Sequence, residues 1–330
     1  MTASSERDPA AAPARLRLPD FFIVGHPKSG TTALYEMLRR HPQIYMGELK
    51  EPWFFATDMP PRFLIPRAGT PPKTLQEYAA LFAGARADQR VGEGTSTYLF
   101  SKTAAAAIAE VAPAARIVAI LREPVSFLRS YHLQLLQNHI ETEQDLGRAI
   151  ALEQDRSEGR HVPSRADRPQ LLQYTGHVRY VEQLRRYEER FGREQMLVLI
   201  YDDFRSDNRA AIGSVLRFLG VDDSHEVDVM DVNPTFRMRS RRLDDLVHAV
   251  SVGRGPLTRA ARATVKALAP RRIRRELLGL TRRRIVYGAP RPPDEQLTID
   301  LRRRFQGEVV ALGEYLDRDL VKLWRYDEIE

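Results

Sequence analysis

The chain has 330 residues, 43% hydrophobic and 29% charged, which fits a globular protein with a real core and excludes collagen-like, coiled-coil and wholly disordered classes. It contains no cysteine, so disulfide scaffolds, thiolate zinc sites and cysteine nucleophiles are excluded as well. The net charge of +7 favours acidic partners: phosphate or sulfate groups, anionic glycans, anionic lipids or nucleic acid.

Residues 1–20 are rich in Ala, Pro and charge and lack the apolar middle of a signal peptide. They read as a disordered, untargeted leader on a cytoplasmic protein. No run of eighteen apolar residues occurs, so no bilayer span is expected. Order begins at Phe21–Gly25, FFIVG, a short apolar run that predicts a buried strand. Thr31–Arg40 follows with Leu34, Met37 and Leu38 at helical spacing. Val91–Phe100 reads as a short strand and turn, and Arg116–Leu121, RIVAIL, as a second buried strand. A long helix is expected from about Ser126 to His139, and an amphipathic stretch over Tyr180–Phe191. Gln195–Tyr201 is a further strand, and Asp207–Leu219 a helix with Gly220 as its C-cap. Pro293–Trp324 places Leu301, Phe305, Val309, Leu312 and Leu316 at helical spacing.

Strands alternating with helices predict an α/β fold: three α/β/α layers around a central parallel sheet, P-loop-like, as one domain over residues 21–330 with a C-terminal helical segment. Residues 251–292 stand apart. They carry twelve Lys or Arg against the single acid Glu276, a local charge of +11 that leaves the rest of the chain near −4. This segment reads as a basic helical insertion or lid. Docking of an acidic glycan, or peripheral contact with an anionic membrane at its inner face, would use the same charges.

Gly25-His26-Pro27-Lys28-Ser29-Gly30-Thr31-Thr32 lies between the first strand and the first helix. Glycines let the backbone approach an anion, amides at the helix start point towards it, Lys28 adds charge, and Thr31 and Thr32 add hydroxyls. The nucleotide triphosphatase loop requires lysine directly after the last glycine. Here Lys28 precedes Gly30, which argues against a kinase or nucleotide hydrolase using ATP and magnesium. A plain strand-to-helix turn would leave the same trace. Arg122 directly follows RIVAIL, at the carboxyl edge where open α/β sheets bind ligands, and Ser130 stands eight residues later. An arginine fork plus a hydroxyl suits a second phosphate, although Arg122 could equally pair with a surface carboxylate. A basic nucleic-acid-binding module remains a third reading. It lacks any aromatic-interleaved basic strand or recognition-helix pattern, so no nucleic acid is expected.

These residues resemble the sulfotransferases that use 3′-phosphoadenosine 5′-phosphosulfate (PAPS). PKSGTT at Pro27–Thr32 looks like the family's 5′-phosphosulfate loop, and LREPVSFLRSYH at Leu121–His132 like its 3′-phosphate motif. Lys50-Glu51-Pro52-Trp53-Phe54-Phe55 resembles the K-E-P-x-F-F of bacterial and other members related to heparan sulfate sulfotransferases. The resemblance implies PAPS as donor, held by Lys28, Ser29, Gly30, Thr31, Thr32, Arg122 and Ser130, with Lys28 stabilising the leaving phosphate and no metal. It implies Glu51 as general base, with burial beside Trp53 and Phe54 expected to raise its pKa, and Glu93 in reserve. Lys50, Trp53 and Tyr98 are the acceptor-side candidates, for a glycan, lipid or other small-molecule acceptor. His132 and His139 are read as structural. Many members close over the nucleotide with a Lys-Gly loop near the C-terminus; Asn233–Arg242 is the stand-in here, and Tyr287-Gly288 the second candidate.

Overall fold

The structure is a computed structural model that describes residues 16–60, 71–225, 237–238, 287–288 and 294–329. The leader through residue 15 and nearly all of 251–292 lie outside the described residues. In chain order come β1 (Phe21–Gly25), α1 (Thr31–Arg39), β2 (Ile44–Met46), α2 (Leu75–Ala80), β3 (Arg90–Gly94), α3 (Ala104–Val111) and β4 (Arg116–Leu121). Then follow α4 (Pro124–Gln137), α5 (Leu146–Ala151), α6 (Glu153–Ser157), α7 (Tyr174–His177) and α8 (Tyr180–Phe191). β5 (Met196–Ile200), α9 (Tyr201–Ser206) and α10 (Asn208–Leu219) come next, then β6 (Arg237–Met238) and β7 (Tyr287–Gly288), and last α11 (Glu295–Leu316) and α12 (Leu320–Leu323).

The chain divides into two compact units. The first takes in Met1–Asp58, Pro66–Leu121 and Gln183–Met230, so far as these are described, and holds the sheet. Its five strands run in the order β2-β3-β1-β4-β5, with every pairing parallel. Parallel strands need both faces covered. Accordingly every residue of β1 is buried, as are all but the first residues of β3 and β4, and helices flank the sheet. All strands end at one edge. The chain leaves β1 towards β2 on one side and reaches β4 on the other, so the end of β1 is the switch point where such sheets open a crevice.

The expected strands form with small changes of boundary. β5 stops at Ile200 because Tyr201 opens α9, and β2 and α2 join the fold without having been read from their short, weakly patterned sequences. Gly220 is the left-handed C-cap of α10, as its position suggested.

The second unit takes in Met59–Ile65, Arg122–Glu182 and Asp231–Glu330, again so far as described. α4 starts two residues earlier than expected, because Pro124 occupies its first turn and the Glu123 carboxylate caps the amides of Val125 (3.0 Å) and Ser126 (2.6 Å). The Tyr326 hydroxyl donates to the same carboxylate at 2.8 Å. The long C-terminal helix is in fact two. Asp317, at φ 52°, ends α11, and Arg318 N–H turns back to the Gly313 carbonyl at 2.9 Å before α12. β6 and β7 form a short antiparallel pair, Arg237 opposite Gly288 and Met238 opposite Tyr287. Residues 237–238 and 287–288 thus form one ribbon, and the rest of the expected nucleotide-closing segment Asn233–Arg242 lies outside the described residues. Among the described residues no helix is long and apolar enough to cross a membrane.

Candidate active site

The loop after β1 is shaped by close packing. A Cβ on Gly25 would lie 2.7 Å from Leu99, and one on Gly30 would lie 2.9 Å from the Phe204 ring of α9. Gly30 also has φ 91°, a backbone state that L side chains rarely adopt. Gly30 is the N-cap of α1 and supplies no side chain to it, and no acid sits in the first turn of α1. The first amides therefore keep their polarity for an outside acceptor. Thr32 is exposed beside them, while Ser29 and Thr31 are buried. Lys28 is half-buried with φ 63°. This cradle, with glycine where a side chain would clash and uncapped amides at a nine-residue helix, fits a phosphate or phosphosulfate group.

The segment after β2 stands at the same sheet edge. Glu51 N–H donates to the Gly94 carbonyl at the end of β3 (3.0 Å), and Ile23 of β1 pairs with Gly94. Glu51 and Trp53 have φ 60° and 61°. With Lys28, three of the candidate residues thus occupy the left-handed region, which costs a non-glycine residue about 1–3 kcal/mol and is tolerated where neighbours over-determine it. The determinants here are aromatic. Phe54 stacks on Tyr78 at 4.7 Å, and Phe55 meets Phe22, Tyr78 and Tyr98 edge-on at 5.0–6.0 Å.

Glu51 is not the buried carboxylate the sequence suggested. Its side chain is 29% exposed and paired with Lys50, whose ammonium lies 3.1 Å from Oε1. The Ser96 hydroxyl donates to the same Oε1 at 2.8 Å. Among the described residues, Oε2 has no hydrogen-bond partner. The buried carboxyl of this region is Glu93, held by Thr95 Oγ1 at 2.7 Å and the Tyr78 hydroxyl at 3.1 Å. Desolvation pushes its pKa up to about 7 against those hydrogen bonds, with the charge of Glu51 adding to the rise.

Tyr98, read as an acceptor-side residue, is fully buried. Its hydroxyl accepts from Phe55 N–H at 3.3 Å, and its carbonyl accepts the Tyr187 hydroxyl at 3.0 Å. It supports the 50–55 segment from below. Trp53 is half-buried.

Lys28, Ser29, Gly30, Thr31, Thr32, Lys50, Glu51, Trp53 and Tyr98 belong to the first unit, whereas Arg122 and Ser130 belong to the second. Arg122 is the residue after the last of β4 and is half-buried; Ser130 is buried in α4. Arg129, beside Ser130, has its pKa lowered by desolvation and, in part, by the like charge of Arg122. The two guanidiniums share one neighbourhood. His132 is structural, bonded to the Tyr174 hydroxyl (2.9 Å) and the Gln144 carbonyl (3.3 Å). The sequence carried little sign of Ser96, because nothing in GEGTSTYLF marks one hydroxyl over the next.

The model of the sulfotransferase family matches residues 19–225, which is more than half of the chain. The chain belongs to the sulfotransferase family. A sulfotransferase from Alicyclobacillus acidocaldarius is 30% identical, with a TM-score of 0.57 over 76% of this chain and 95% of that one. Mouse heparan sulfate glucosamine 3-O-sulfotransferase 6 is 32% identical over 128 residues, 38% of this chain and 33% of that protein. Human carbohydrate sulfotransferase 15 is 56% identical over 39 residues, 12% of this chain and 7% of that protein. The chain thus spans a third or less of the length of these curated sulfotransferases, and nearly all of the bacterial one.

Proposed function

We propose that the protein moves a sulfuryl group from PAPS to a hydroxyl or amine of an acceptor, with Glu51 as general base and Lys28 stabilising the leaving phosphate. When bound, the donor supplies an activated sulfuryl group on a phosphate oxygen. The rest falls to the chain. Lys28, the α1 amides and the hydroxyls of Ser29, Thr31 and Thr32 neutralise charge where it develops, a kind of term in which one donor is worth about 3–4 kcal/mol. Arg122 and Ser130 hold the 3′-phosphate. Glu51 takes the acceptor proton on Oε2.

The observation that carries this reading is the divided carboxylate of Glu51. One oxygen is fixed by Lys50 and Ser96, and the other has no hydrogen-bond partner among the described residues, at the sheet edge that also carries the glycine loop. A glycan is the favoured acceptor class, because a heparan sulfate sulfotransferase is among the relatives and half-buried Trp53 and Phe54 offer aromatic faces beside Glu51. The basic segment 251–292 supplies charge suited to an acidic glycan or lipid headgroup.

The test is transfer of radiolabel from PAPS to fractionated extract of the host, in the presence of a chelator, followed by mass analysis of the labelled product. A sulfated acceptor is expected. Transfer of phosphate from ATP with magnesium, and none of sulfate from PAPS, would overturn the reading.

A further inference from the structure

We infer that Ser96 is a positioning residue that fixes Glu51 so that a single carboxylate oxygen faces the acceptor. The inference rests on Glu51 being the base. Three observations converge. First, residue 51 is tied twice to the segment that ends β3: its N–H to the Gly94 carbonyl (3.0 Å) and its Oε1 to the Ser96 hydroxyl (2.8 Å). Backbone and side chain are held by residues two apart, which fixes the side-chain torsions as well as the loop.

Second, that segment is itself rigid. Residues 91–99 are all buried and Ser96 is 5% exposed. Tyr98 N–H closes a turn on the Thr95 carbonyl (3.1 Å), and Leu99 N–H reaches the Val24 carbonyl of β1 (2.7 Å). The frame holding Glu51 is therefore bonded to the strand from which the glycine loop departs.

Third, Lys50 and Ser96 both serve Oε1, and Oε2 is left without a donor among the described residues. A carboxylate with both oxygens capped is a poor base, and one with neither capped rotates. Capping one oxygen leaves one lone-pair direction in a fixed place, and misplacement of a reacting group by about 1 Å can cost 100-fold in rate. Lys50 cannot do this alone, because its side chain is 25% exposed and its ammonium sits on a flexible stem. Among the described residues, Lys50 from its own loop pairs with Glu51, and Glu93 of β3 interacts with its charge.

The test compares Ser96→Ala, Ser96→Thr and Glu51→Gln, using PAPS and the extract fraction that the wild-type protein sulfates. Ser96→Ala is expected to lower kcat about 10–100-fold, with KM for donor and acceptor unchanged. Its kcat–pH profile should change as well, because the base has lost a hydrogen-bonding partner. Ser96→Thr should restore both rate and profile. Unchanged kcat and profile in Ser96→Ala, while Glu51→Gln is inactive, would overturn the positioning role and leave the base assignment standing. Full activity of Glu51→Gln would instead remove the base assignment, and the inference with it. A Ser96→Ala variant whose rate loss tracks only a lowered melting temperature, with an unmoved pH profile, would also overturn it.

Discussion

Two acid–base pairs in this molecule are built in opposite ways. In the second unit, the Glu141 carboxylate accepts both arms of the Arg156 guanidinium (2.7 and 2.8 Å), the Tyr174 hydroxyl (2.9 Å) and the amides of Thr142 (2.6 Å) and Glu143 (2.8 Å). Its side chain is fully buried, and that of Arg156 is 1% exposed. Burial opposes the charge on Glu141, but the arginine fork and the amides outweigh it and hold the pKa below the ordinary value. In the first unit, Glu51 meets Lys50 in a half-exposed loop and keeps one oxygen open among the described residues. A pair with every lone pair occupied is scaffold. A pair that leaves one unoccupied in a strained loop has something left to do.

The largest expected effect breaks the open pair and leaves the sealed one alone. Glu51→Gln should cut turnover about 100–10,000-fold, the range of general-base catalysis, with the melting temperature near that of the wild type. Lys28→Ala should cost a comparable 100–1,000-fold through lost charge stabilisation. Steady-state kinetics beside a thermal melt checks both.

Arg156→Ala is the converse. It strands a buried carboxylate and should destabilise the fold by about 3–5 kcal/mol in urea denaturation. If Arg156→Ala left stability intact while Glu51→Gln lowered it by several kcal/mol, the division of roles would be reversed.

Glu93 sharpens the comparison, being as buried as Glu141 but with no cation bonded to it among the described residues. Its pKa rises from an ordinary 4.5 to about 7 on folding. The folded state then binds more protons than the unfolded state between these values, so stability falls as pH rises from about 4.5 through 7. The loss amounts to roughly 3 kcal/mol, complete above pH 7. Glu93→Gln should flatten that slope in denaturation curves at pH 5 and pH 8. A wild type that gains stability over this window relative to Glu93→Gln would contradict the assignment.

The smallest effect is that of Tyr326→Phe. It removes one donor from the buried Glu123 cap and should cost about 1–2 kcal/mol, again read by urea denaturation.

Local features of this molecule were legible in its sequence. The FFIVG strand, the glycine loop and RIVAIL announce themselves by short-range pattern, and Gly220 by its place after a helical run. Lys28, Glu51 and the residues around them could be named because each lies in a contiguous motif. The surroundings of Glu51 could not be read, since Ser96 lies 45 residues away and meets it only through the parallel pairing of β2 with β3. The same distance misled the reading of Tyr98, which is buried with its hydroxyl engaged by Phe55, 43 residues away, and by Glu93. The break of the last helix at Asp317 was hidden because apolar spacing runs through it, while the decisive contact is the backbone of Arg318 against Gly313.

The central claim is that the glycine loop with Lys28 binds a 3′,5′-bisphosphorylated nucleotide without help from a metal. Calorimetric titration of the full chain with adenosine 3′,5′-bisphosphate in excess EDTA tests it most directly. Saturable 1:1 binding is expected, weakened at least about tenfold by Lys28→Ala and by Arg122→Ala, as for loss of a charged hydrogen bond. Absence of binding in EDTA, or affinity untouched by both substitutions, would contradict it.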